Sequence, residues 1–165
     1  MTIYSVVSDF NVSPFVGYLK REIGEQSRVL DQGNSAVHTI LMSWNERAFS
    51  DDVEIDHAIV WTRPEAIFPS FLDCLNGNSL NILQLDRELE EFLEILELAS
   101  KNLSALWIPL WVRSDFVRGM GVGEFKRGGI NWGLQRLNNN LIERNSMSGT
   151  VHVLDTHRWL SSSDL

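Results

Sequence analysis

Cysteine is all but missing from this chain of 165 residues, where Cys74 stands alone. A lone thiol forms no internal disulfide, so stability has to come from a buried core. The length suffices for one, since a chain of this size buries about 70% of the surface its unfolded form exposes. The setting of Cys74, Phe71-Leu72-Asp73-Cys74-Leu75, is apolar, which points to an inert buried thiol rather than a nucleophile. Four prolines and 11 glycines are too few for a fibrous or disordered chain. Apolar runs approaching a membrane span are missing, as is a charged N-terminal region followed by an apolar stretch. These features lead us to expect a soluble cytoplasmic protein without membrane contact. Positive charge is also short: 14 Lys and Arg face 22 Asp and Glu, a net charge of -8. That balance argues against nucleic-acid binding by the whole surface and leaves only a local basic patch open. The four histidines are scattered without ligand spacing, so no metal is expected, and nothing else calls for a cofactor.

What is present is a regular alternation of short apolar runs and helical patterns. Ile3 to Val7 reads as a first strand, after which Ser13 can cap a helix and Pro14 can occupy its first turn. Val16, Leu19 and Ile23 then lie on one face, up to Gly24. Ser27 to Leu30 reads as a second strand, Asp31 to Ser35 as a turn, and Ala36 to about Asn45 as a helix. An acidic connector, Asp51 to Glu54, precedes a third strand, Asp56 to Trp61, which ends at Thr62-Arg63-Pro64. His57 reads as structural. Leu85, Leu89, Phe92, Leu96 and Ala99 mark an amphipathic helix from about Leu80 to Ser100, with its carboxylates, Glu88 among them, as a solvated face. Ser104 to Ile108 is a fourth strand, Ile130 to Asn145 a helix, and Thr150 to Leu154 a fifth strand. The six tryptophans are expected in the core or lining a cleft.

Five strands alternating with helices imply a parallel sheet with helices on both faces, a three-layer doubly wound sandwich of strand order 2-1-3-4-5. The expected domain is a single unit over residues 1–160, with 161–165 as a tail or linker. Parallel strands bring their carboxyl ends to one rim, where open sheets bind ligands. Four segments meet there: Ser8-Asp9-Phe10-Asn11, Gly33-Asn34, Thr62-Arg63, and Asp155-Thr156-His157. Asp9, Asn11, Gly33, Asn34 and Arg63 are thus candidate ligand-binding residues.

This layout resembles the SGNH hydrolases, a flavodoxin-like arrangement in which a Ser after the first strand attacks an ester and an Asp/His pair after the last strand activates it. The resemblance implies Asp155 and His157 as the catalytic pair. Phe10 falls where the nucleophile belongs, and Ser8 could serve only in a register shifted by two. Gly33 fits the second block. The third is replaced by Trp61-Thr62-Arg63-Pro64, without the Asn that helps hold an oxyanion, and the last block is one residue short.

The strand ending in Phe10 and Pro14, the run Gly129-Ile-Asn-Trp-Gly-Leu-Gln-Arg-Leu-Asn138, and Val151 to Asp155 with Arg158-Trp159 together resemble the N-terminal SGNH-like domain of FkbH-like proteins. That resemblance implies a partner of the acyl carrier protein type, a fused haloacid-dehalogenase-type domain, and glyceryl or acyl transfer in biosynthesis. Asp9-Phe-Asn11 with Ile59 to Thr62 also resembles the first two motifs of haloacid dehalogenase phosphatases. There Asp9 would be the nucleophile, although Asn11 replaces the general acid and the third motif is missing. Finally, Arg113 to Gly129 is a Gly-rich, net-positive loop whose Arg118 and Lys126 could hold an anion such as a phosphopantetheine group.

Three readings are open. One is a non-hydrolytic SGNH-like domain that binds a partner, the second is a divergent esterase or acyltransferase, and the third is a docking module whose rim groups only satisfy one another.

Overall fold

In the computed structural model, residues 1–33, 36–46, 54–112 and 124–156 are described. Five parallel strands, β1 (Thr2–Ser8), β2 (Ser27–Gln32), β3 (His57–Trp61), β4 (Ala105–Pro109) and β5 (Val151–Leu154), form one sheet in the order β2-β1-β3-β4-β5. This is the expected α/β architecture and strand order. The helices are α1 (Ser13–Ile23), α2 (Val37–Glu46), α3 (Pro64–Ile67), α4 (Pro69–Leu75), α5 (Ile82–Ser100) and α6 (Ile130–Asn145). Among the described residues no helix is long and apolar enough to cross a membrane.

Handedness decides which face each helix takes. The β1-to-β2 crossover runs toward one edge of the sheet, whereas those to β3, β4 and β5 run toward the other. Right-handed connections therefore put α1 on one face and α2, α5 and α6 on the opposite one. The register bears this out: Val7, Ala58, Val60, Leu106, Ile108 and Val151 pack into one core with Leu41, Leu85, Leu96, Leu137 and Leu141. On the other side Val6, Val29 and Ile59 pack with Val16, and with the half-buried Phe15, Leu19 and Ile23, all from α1.

Beyond the reach of α1, that second face carries rings. Tyr4, His57, Trp107 and His152 succeed one another across β1, β3, β4 and β5, with centroids 4.8, 5.3 and 6.2 Å apart. His57 is thus a stacked strand residue, in keeping with a structural role. Of the tryptophans, Trp44 and Trp111 are buried in the larger core.

Two short helices were not expected. Pro64, which read as ending the third strand, and Pro69 each sit in the first turn of a helix, where a missing N–H costs nothing. Cys74 lies in α4, buried, and burial pushes its thiol up, away from the thiolate. Ser13 is a correction: it is the first residue of α1 rather than its cap. Its N–H donates to Asn11 Oδ1 and its own hydroxyl turns to Asp31, because β2 continues to Gln32 and carries that carboxylate alongside.

Candidate functional site

The rim is built where β1, β2 and β3 end. Ser8 is fully buried on the α1 face, and its Oγ accepts the N–H of Phe10 at 3.1 Å, a tight hydroxyl turn. That turn projects Phe10 edge-on against Trp61, which also meets Phe15 edge-on. Asp9 points across to β3, where its two oxygens accept from the Arg63 backbone N–H (2.8 Å) and the Arg63 Nε (2.7 Å). The Asp9 side chain is 10% exposed and that of Arg63 is 50% exposed, so this charge-assisted pair is shielded at the carboxylate and open at the guanidinium. The guanidinium also stands 5.8 Å from the centre of the Phe10 ring.

Gly33 closes the β2 end. Its N–H donates to Asp31 Oδ1 at 2.9 Å. A Cβ there would stand 3.1 Å from the Phe10 carbonyl oxygen and 3.2 Å from Val12 Cγ2, so a side chain would fit only if these neighbours gave by a few tenths of an ångström. Asn11 is exposed and engaged with the Ser13 N–H. Asp9, Asn11, Gly33 and Arg63 are thus brought to one rim, as the sequence places them.

Asp155 lies three strands from β1, about 14 Å away at ordinary strand spacing, exposed just past β5. Its neighbour Thr156 is buried and donates from Oγ1 to the Leu110 carbonyl. Lys126 is exposed in the turn that leads into α6, where its carbonyl accepts from the Gly129 N–H. Asn34, Arg118 and His157, together with 161–165, lie outside the described residues. Among the described residues, no group of three or more His, Cys, Asp or Glu side chains converges to hold a metal.

Several contacts that shape the rim and its surroundings carried no sequence signal. The Trp111 indole N–H donates to the buried Thr62 Oγ1, which ties the end of β4 to the end of β3. Asn138 of α6 grips the Trp111 backbone from both sides: its Oδ1 accepts the N–H at 3.0 Å and its Nδ2 donates to the carbonyl at 2.8 Å. The carboxamide thereby acts as a fragment of strand beyond the point where β5 pairing stops. Glu88 is not simply part of the solvated face of α5, since its carboxylate accepts from the Ser70 N–H and Oγ at the start of α4. A carboxylate there satisfies donors that the helix leaves unpaired and contributes about 1 kcal/mol. Arg136 makes a fork to Asp86 at 2.7 and 2.8 Å, and that hydrogen bonding raises the already high guanidinium pKa.

Beside the rim, between the first turns of α2 and α3 and the flank of α5, lies a groove of about 530 Å³ with Asp9 at its edge. No protein-family model, curated protein or solved structure matches the chain.

Proposed function

We propose that this domain is a non-hydrolytic, SGNH-like module that binds or positions a partner at its carboxyl rim. The observation that carries the reading is that four backbone donors of the described rim are already engaged. The backbone N–H groups of Phe10, Ser13, Gly33 and Arg63 donate to Ser8, Asn11, Asp31 and Asp9 in turn. Acyl transfer requires an exposed nucleophile and free donors aimed at the developing oxyanion. Ser8 is buried, and the Gly33 N–H is occupied. A phosphatase role for Asp9 requires a free carboxylate oxygen, whereas both accept from Arg63.

The motif resemblance to FkbH-like proteins extends the reading. The partner is then an acyl carrier protein, or a fused haloacid-dehalogenase-type domain, handling a glyceryl or acyl unit. The half-exposed Arg63 and the exposed Lys126 supply positive charge for its phosphopantetheine arm.

The test has two arms. With a fluorophosphonate probe and short-chain esters we expect no labelled serine and no turnover. Hydrolysis lost on Asp155→Ala or His157→Ala would overturn the reading and restore the esterase, and magnesium-dependent phosphatase activity lost on Asp9→Asn would do the same for the phosphatase. In the binding arm, anisotropy of a labelled acyl carrier protein should report association that weakens severalfold in Lys126→Glu. No association with the wild-type chain sinks the carrier-protein partner.

A further inference from the structure

The groove beside the rim has a character of its own. It lies over the junction of β1 and β3, from which the connections leave toward opposite edges of the sheet, the place where open α/β sheets take ligands. Its volume of about 530 Å³ suits a small molecule. The walls are largely apolar, with Val37 from α2, Ile67 from the end of α3, Pro69 from α4, and Phe92 and Ile95 from α5. Its charge is mainly negative: Asp9, Glu88 and Glu91 line it, His38 from the first turn of α2 is the one lining group that can turn positive, and no lysine or arginine among the described residues lines it.

The three carboxylates differ in what they already hold. Asp9 is matched by Arg63, and Glu88 by the Ser70 amide and hydroxyl. Glu91, almost one turn further along α5, is exposed and bonds to none of the described residues. Among the described residues the groove therefore holds a carboxylate without a partner, Glu91, a second carboxylate close behind it, and an apolar wall.

We propose that this groove binds a small organic cation. The apolar body of the ligand lies against Ile67, Phe92 and Ile95, and its ammonium group pairs with Glu91. Carboxylates along a low-dielectric wall concentrate cations and repel anions, so a carboxylate ligand of the same shape is rejected. The proposal stands apart from the reading of the rim, because it concerns a ligand between α2, α3 and α5 whether or not the domain cleaves esters.

The experiment compares phenethylamine with hydrocinnamate, near-equal in shape and opposite in charge, by amide chemical shifts of the full chain. The amine should give saturable shifts at Val37, Ala66, Ile67 and Phe92 that fade with added salt, and the acid should give none. Glu91→Gln, a surface change that leaves folding intact, should weaken the amine about three- to fivefold. Ala66→Trp, which fills the groove from α3, should abolish the shifts. The proposal is overturned if the acid binds as well as the amine, if the shifts map elsewhere, if Glu91→Gln leaves the affinity unchanged, or if no shifts appear up to about 20 mM amine.

Discussion

The two faces of the sheet are built differently. One is covered by α2, α4, α5 and α6 and holds most of the fully buried side chains, while the other is covered by α1 over β2, β1 and β3. The difference comes from strand order, because only one crossover runs toward the β2 edge. On the crowded face polar groups serve to tie helices together, as Glu88 does for α4 and Asn138 for Trp111. On the α1 face, rings take over where the helix stops, and Trp107 remains half-buried between His57 and His152. Stability should therefore be concentrated on one side of the molecule.

Substitutions that probe each face in turn would break or sharpen this contrast. Trp111→Ala on the crowded face should be the most damaging. It removes a fully buried indole and leaves Thr62 Oγ1 without its donor, so we expect a loss of about 3–5 kcal/mol in chemical denaturation. Trp107→Ala on the α1 face should lose less, about 1–2 kcal/mol, since its ring is partly exposed. Equal losses at the two tryptophans would remove the contrast. Asp9→Asn at the rim, between the two faces, should cost about 1 kcal/mol, the guanidinium of Arg63 being screened by solvent.

Cys74 offers a pH-dependent probe of the crowded face. Its thiol pKa is raised in the folded state, so the fold holds its proton longer than the unfolded chain does. Stability is intact below the unfolded thiol pKa and declines as pH rises above about 8.5, and Cys74→Ala should flatten that decline. Alkylation of Cys74 at neutral pH should track opening of the core rather than the reactivity of a free thiol. His152→Ala, on an exposed side chain, should change stability by less than about 0.5 kcal/mol.

The strands and their order were legible in the sequence because runs such as Ala58 to Val60 are buried on both faces and carry no competing pattern. Right-handed crossovers between alternating strands and helices then led to the topology. Pro64 hid α3, since a first-turn proline and a chain break look alike until the packing of the next residues is known. The rim was legible as a place and not as a network. Asp9, Arg63 and Gly33 were all assigned to it, but whether a carboxylate faces a ligand or its neighbour depends on register, which a single sequence does not state. The roles of Asn138 and Glu88 stayed hidden for the same reason: each acts on a backbone segment distant in sequence.

The Asp9–Arg63 pair also has a kinetic meaning. It joins residues 54 apart, whereas β1 and β2 close a loop about half as long. The longer loop loses more chain entropy on closing, which favours β1–β2 pairing first and latching of β3 at the rim afterwards. A contact that forms late is absent from the transition state, so weakening it should leave the folding rate almost unchanged and speed unfolding. The latch would then act less as a builder of the sheet than as a brake on its opening.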